Sequence, residues 1–271
     1  MLAVERRNLI LEKLQEEKHV VVSELSRQYN VSEETIRRDL DKLEAEGYAV
    51  KSYGGAVINE NNGIDMPFSI RKNRNVVEKQ KIAELAAELV RDGESIMLDA
   101  STTSVFIAKA IKDRERLTVI TNSIEIMIEL ADVSGWTVIS TGGTMKEGYL
   151  ALWGTGAEDT IRSYYVDKAF ISCKAFDRER GVMDSSELFA HAKRVMVNSA
   201  RESILAVDQS KFDSAAFAQI MDVRKLSAVL TDAKPSEEWL NYLEAGDIKC
   251  YYPKEKNERL KCCESKLPGK K

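Results

Sequence analysis

From Glu78 onward, short β-branched runs alternate with stretches of helical spacing, and this alternation restricts the fold more than any other feature. EKQKIAELAAELVRDG predicts a helix, with Gly93 as its C-terminal signal. SIMLD predicts a strand and STTSVFIAKAI a second helix. LTVIT, WTVIST, VDKAFIS and ESILAVD read as further strands, with helices over SIEIMIELA and from about Ser186 to Ala200. LSAVLTD, PSEEWLNYLEAG and DIKCYY complete the series. Strand and helix repeated this often imply an α/β domain, a mostly parallel sheet covered by helices. With 271 residues there is room for a second, smaller domain.

That smaller domain is legible in the first 57 residues. ERRNLILEKLQEEK places Ile10, Leu11 and Leu14 at helical spacing, and HVVV after it reads as extended. SELSRQY predicts a short helix with Ser23 as N-cap. SEETIRRDLDKLEAEG predicts a third helix capped by Ser32, with Val31 and Ile36 at the hydrophobic-staple positions and Glu33 and Glu34 at its positive end. Only Asn30 and Val31 separate the second helix from that cap, so the pair forms a helix-turn-helix. Ile36, Leu40 and Leu43 make the core stripe of the third helix. Arg38 then points outward, flanked by Thr35 and Arg37, in the half of the helix that enters the major groove in such motifs. YAVKSYGGAVI reads as a two-stranded wing turning at Gly54-Gly55, with Lys51 and Tyr53 placed for backbone phosphate. Ser32, Thr35, Arg37, Arg38, Lys42, Lys51 and Tyr53 are the DNA-binding candidates. Against this, arginine pairs on helices are commonly just solvated, and acids outnumber bases over residues 1–57.

Composition narrows the function classes. A net charge of −4 gives no general attraction to nucleic acid, so DNA binding must rest on local placement of charge. The four cysteines, Cys173, Cys250, Cys262 and Cys263, form no C-x-x-C pair, and only His19 and His191 could add imidazoles. Neither a metal site nor a disulfide framework is indicated. No nucleotide fingerprint appears, and no cofactor is expected. The start lacks a signal-peptide stretch and no apolar run is long enough to span a bilayer, so the expectation is a cytoplasmic chain with no membrane partner.

Ligands of parallel sheets sit beyond the carboxyl ends of the strands. After SIMLD comes Asp99-Ala100-Ser101-Thr102-Thr103-Ser104, four hydroxyls ahead of a helix, which is an anion site or a well-capped helix. Asn122 follows LTVIT. Gly142 and Gly143 follow WTVIST, where missing side chains allow either a ligand's approach or a simple turn. By composition, residues 58–77 form a hinge, residues 78–253 the α/β domain, and residues 254–271 a charged mobile tail.

The segments ERRNLILEKL and VVVSELSRQYNVSEETIRRDLDKLEAEGYAVKSYGGAV closely resemble the N-terminal domain of the DeoR family of bacterial transcriptional regulators. The T-I-R-R-D-L pattern stands at Thr35–Leu40, Leu43-Glu44 follows, and Gly54-Gly55-Ala56 ends the wing. Lys51 and Tyr53 stand where the family usually has Arg and His. The rest, to about Pro253, is similar to the family's sensor domain, whose fold is like that of ribose-5-phosphate isomerase. The family's D-S-G-T-T-T loop is matched by residues 99–104, with Ser101 in place of glycine. Its T-N-S, G-G, D-K-A-F, K-R-x-M and D-x-S-K patterns stand at residues 121–123, 142–143, 167–170, 193–196 and 208–211. Residues 172–177 are bulkier than the family's glycine-rich run, and the acid usually close before Lys193 is displaced, with Glu187 the nearest.

The resemblance implies a homo-oligomeric repressor, dimer or tetramer, of a carbohydrate operon, bound to double-stranded operator DNA and relieved by a phosphorylated sugar. Asp99, Ser101, Thr102, Thr103, Ser104, Asn122, Gly142, Gly143, Lys193, Asp208 and Lys211 would hold that effector. Two alternatives stay open: a sugar-phosphate isomerase or deaminase with a base among Asp177, Asp184 and Glu187, or a DNA-bound regulator that has lost its effector.

Overall fold

The computed structural model describes residues 1–59, 66–146 and 148–253. The tail 254–271, with Cys262 and Cys263, and residues 60–65 of the expected hinge lie outside the described residues. The chain divides into two compact units, Met1–Arg71 and Lys72–Lys271.

The first unit contains α1 (Ala3–Glu17), β1 (His19–Val21), α2 (Val22–Tyr29), α3 (Glu33–Ala45), β2 (Ala49–Ser52) and β3 (Gly55–Ile58). Ile10, Leu14, Leu25, Ile36, Leu40 and Leu43 meet in its core, so the apolar stripes of all three helices face one another. Asn30 ends α2 in the left-handed conformation that asparagine tolerates, and Ser32 caps α3 by accepting from the Thr35 N–H at 3.2 Å.

Two local expectations fail here, for one reason. The wing is a three-stranded antiparallel sheet of order β1-β3-β2, not a two-stranded ribbon, because the HVV run pairs with β3. That pairing also starts α2. The Val22 N–H donates to Gly54 O at 2.8 Å, so Val21 occupies the cap position without a side-chain acceptor and Ser23 lies inside the helix. Gly55 is obligatory at the crossing, since a Cβ there would lie 1.9 Å from Val20 O. The connector is not all irregular either. A helix, α4 (Phe68–Asn73), occupies part of it, and Phe68 and Ile70 are buried.

The second unit is built on a seven-stranded sheet, every pairing parallel: β15-β14-β12-β9-β4-β5-β6. Its strands are β4 (Ser95–Leu98), β5 (Thr118–Thr121), β6 (Thr137–Ser140), β9 (Val166–Ile171), β12 (Ala200–Ala206), β14 (Ala228–Leu230) and β15 (Lys249–Tyr251). The helices are α5 (Val76–Leu89), α6 (Thr102–Ala110), α7 (Ile124–Leu130), α8 (Thr155–Arg162), α9 (Glu187–Asn198) and α10 (Glu237–Ala245). Strands β4, β5 and β9 are buried almost throughout, as expected for a sheet covered on both faces.

Two smaller sheets add to the strand–helix alternation. A hairpin joins β7 (Thr144–Lys146) and β8 (Ala151–Trp153), and β10 (Ala175–Asp177), β11 (Gly181–Asp184) and β13 (Ala218–Met221) form an antiparallel trio. All five strands are only three or four residues long, too short for a period of two to develop, and β11 pairs with the distant β13. The register aligns Leu98 with both Thr121 and Phe170, and Ile171 with Leu205. Asp99, Asn122 and Ser172 therefore emerge together at the carboxyl end of the sheet, and Asp208 follows two residues beyond β12.

Candidate functional site

In the first unit the seven candidate residues lie on α3 and the wing. Ser32, Arg37, Arg38 and Lys42 are exposed, and Thr35 is half-buried with its hydroxyl against that of Ser32 at 2.9 Å. Tyr53, at the wing turn, is fully exposed. Three of the four cations are paired with acids of the same surface. Arg37 meets Glu33 at 2.6 Å, Arg38 meets Glu34 at 3.3 Å, and Lys51 meets Asp41 at 2.6 Å and Glu44 at 3.5 Å. The hydrogen bond that Lys51 donates to Asp41, then the charges of Asp41 and Glu44, hold the Lys51 ammonium above its ordinary pKa.

Behind this surface is a contact that spacing alone does not reveal. Asp39, the acid after the arginine pair, is buried and accepts from Arg6 Nε at 2.5 Å, with Arg7 at 3.8 Å. It ties α1 to the inner side of α3.

In the second unit Asp99 is the hub. Its Oδ1 accepts from the Ser101 N–H at 3.1 Å and the Ser104 hydroxyl at 2.5 Å, and its Oδ2 from the Ser172 N–H at 3.0 Å. Ser101 caps α6 by accepting from the Ser104 N–H at 3.1 Å. Two of the four hydroxyls are therefore spent on the loop itself. Thr102 and Thr103 are buried, and their hydroxyls make no hydrogen bond among the described residues.

Lys193 reaches the hub from α9. Its Nζ donates to Asp184 at 2.5 Å and Ser172 O at 2.7 Å, and lies 3.3 Å from Asp99 Oδ2. Burial alone would lower the pKa of this ammonium, but Asp184 and then Asp99 outweigh it and raise the value, so Lys193 stays charged. An ammonium has three protons, and three acceptors surround this one. The acid missing from the α9 sequence before Lys193 is thus supplied by Asp184, at the end of β11. Beside the cluster, burial pushes the Cys173 thiol up to about 12.

The other candidates sit around this centre. Asp208 accepts from the N–H and hydroxyl of Ser210. Burial would raise its pKa, but Lys211 and the Ser210 hydrogen bonds hold the carboxyl below its ordinary range. Lys211 makes no salt bridge among the described residues. Asn122 is buried and its Nδ2 donates to Leu152 O at 3.1 Å, whereas its Oδ1 is buried without a partner among the described residues. The glycines divide. Gly142 is an open turn with φ +63, whereas a Cβ on Gly143 would lie 2.5 Å from Trp153 O, so its bareness serves the approach of β8.

No helix among the described residues is long and apolar enough to cross a membrane. The DeoR-like helix-turn-helix domain matches residues 6–62, and the DeoR C terminal sensor domain matches residues 74–233. The chain belongs to the DeoR family. Members of comparable length are similar along nearly the whole chain. The HTH-type transcriptional regulator YulB of Bacillus subtilis (strain 168) is 43% identical over 233 residues, 86% of this chain and 90% of its own. The L-fucose operon activator of Haemophilus influenzae is 32% identical over 90% of this chain and 97% of its own. Ribose 5-phosphate isomerase A of Methanocaldococcus jannaschii overlaps 49% of this chain and 53% of its own, at TM-score 0.37 and 19% identity. As a DeoR-family chain it is a DNA-binding transcriptional regulator; the outward arginines lie within the residues matched to the helix-turn-helix domain, and Asp99 and Lys193 within those matched to the sensor domain.

Proposed function

We propose that the chain represses a carbohydrate operon by laying α3 in the major groove of operator DNA, and that a phosphorylated sugar bound at the carboxyl end of the seven-stranded sheet relieves repression. The observation that carries the effector half is the pair of uncommitted hydroxyls, Thr102 and Thr103, in the first turn of α6. Free N–H groups and hydroxyls at a helix start suit a phosphate. Lys211 is the available cation, since Lys193 is held on three sides. Lys193 and Asp99 then act as the rigid floor of the site, with Ser101 and Ser104 shaping its loop. Asn122 Oδ1 is an acceptor ready for a sugar hydroxyl, because a buried carbonyl without a partner is costly.

Relatives support this reading of the operon and ligand class. They include the HTH-type transcriptional repressor GlcR of Bacillus subtilis, 32% identical over 90% of this chain, and the glycerol-3-phosphate regulon repressor of Escherichia coli, 27% identical over 87%. Regulation rather than catalysis is supported by the state of the acids. Asp184 is bound by Lys193, Asp177 holds the N–H groups of Glu179 and Arg180, and Glu187 pairs with Arg194. A general base needs a carboxylate able to meet substrate.

DNA and effector binding are reciprocally linked. In a homo-oligomer, dimer or tetramer, the effector would act by changing the spacing of the α3 helices against fixed half-sites. A thermal-shift screen against phosphorylated sugars and polyols tests the proposal. A stabilising ligand is expected whose effect disappears in Lys211→Ala. Stabilisation that persists in Lys211→Ala would place the phosphate elsewhere.

A further inference from the structure

We propose that Glu34 is a specificity-determining residue of the reading helix: it accepts a hydrogen bond from a cytosine amino group in the cognate half-site while Arg38 binds the guanine or phosphate beside it. The inference rests on α3 being the helix in the major groove.

The core stripe Ile36, Leu40 and Leu43 fixes the rotation of α3. At about 100° per residue, Glu34 and Arg38 straddle the line directly opposite that stripe, whereas Glu33 and Arg37 lean to one side. Exposure agrees. The side chains of Arg38 and Glu34 are 75% and 63% exposed, against 54% and 47% for Arg37 and Glu33. The two groups that would reach deepest into the groove are thus a cation and an anion, joined to each other at 3.3 Å.

Such an exposed i,i+4 pair holds weakly and opens readily. Once it opens, each half needs its own partner. The guanidinium finds acceptors everywhere on the duplex: phosphate oxygens, or guanine O6 and N7. The carboxylate does not. Phosphates repel it, and so does every acceptor in the groove. The only base-edge donors there are adenine N6 and cytosine N4. Adenine presents N7 beside its amino group, an acceptor that a carboxylate cannot satisfy, whereas cytosine presents the amino group alone. A C·G pair is therefore the partner that lets both halves separate without loss.

The rest of the surface strengthens the case. Arg37 is likewise paired with Glu33, and Lys51 with Asp41 and Glu44, so each of these cations must also leave an acid before it meets a phosphate. Over residues 32–52 this surface carries Arg37, Arg38, Lys42 and Lys51 against Glu33, Glu34, Asp41, Glu44 and Glu46, with Asp39 turned inward to Arg6. Phosphate attraction alone, the source of non-specific binding, is weak on such a face. Discrimination must come from base contacts that release the internal pairs.

The test is selection of binding sites from a random duplex pool by the full native chain, by Glu34→Gln and by Arg38→Ala, followed by fluorescence anisotropy at fixed salt. The native chain is expected to select a cytosine whose replacement by adenine weakens binding about tenfold or more. Glu34→Gln is expected to lose that preference or reverse it toward adenine, which glutamine binds in bidentate fashion. Selection of the same bases with the same affinity ratio by Glu34→Gln overturns the proposal. Arg38→Ala keeps the two failures apart. If it binds as tightly as the native chain, α3 is not the reading helix. If it binds more weakly while the Glu34→Gln selection is unaltered, α3 reads DNA and Glu34 does not.

Discussion

Arg6, on α1, donates its Nε–H to Asp39 of α3 across 2.5 Å, and both side chains are buried. The residue that immediately follows Arg37 and Arg38 is thereby fixed to another helix. The arginines project from a helix whose rotation is held by an ion pair behind it and by apolar packing around it.

Replacing Asp39 with Ala leaves Arg6 buried without its anion. Breaking a buried pair from one side costs about 3–5 kcal/mol. Denaturant unfolding of Asp39→Ala is expected to show a loss of that order, with weaker operator binding. A variant as stable as the native chain would show that the pair is incidental.

The same reasoning applies to the Asp99–Lys193–Asp184 cluster. Lys193→Met puts two buried carboxylates beside each other with no cation, and a loss of about 3–5 kcal/mol is expected in unfolding experiments. Lys211→Ala, at a part-exposed residue that makes no salt bridge among the described residues, is expected to cost only the small contribution of its charge beside Asp208 and to abolish the effector response. The opposite outcome, a tolerated Lys193→Met that loses only the response, would make Lys193 the ligand's cation.

Asp208 gives a pH prediction. Its folded pKa lies below the ordinary 3.8, chiefly because Lys211 and Ser210 outweigh burial. A depressed carboxylate contributes stability that is present above its unfolded pKa and is lost as pH falls through the folded one. Acid unfolding below about pH 4 is therefore expected to be shallower in Asp208→Asn than in the native chain. Superimposable acid limbs would remove Asp208 from the account.

Much of this was legible in the sequence, and the illegible part has a common character. Ile36, Leu40 and Leu43 fix α3, Ser32 caps it, and the β-branched runs from Ser95 onward lay out the parallel sheet. Patterns of local period carry that much. Pairings between distant segments do not show in any period. The partner of Lys193 was hidden because Asp184 reaches it from a strand, not from the preceding turn of its own helix. Ser23 reads as a cap until the sheet supplies Gly54 O to the start of α2. Gly143 reads as space for a ligand until Trp153 O is found against it. Glu33 and Glu34 read as helix-end charges, yet each holds an arginine four residues on.

The most direct test of the central claim is operator binding by Arg38→Ala, followed by anisotropy across a range of salt concentrations. If Arg38 enters the groove, affinity is expected to fall about tenfold or more, and the salt slope to shrink by about one if its contact is to phosphate. An affinity and a salt slope both equal to those of the native chain would contradict it.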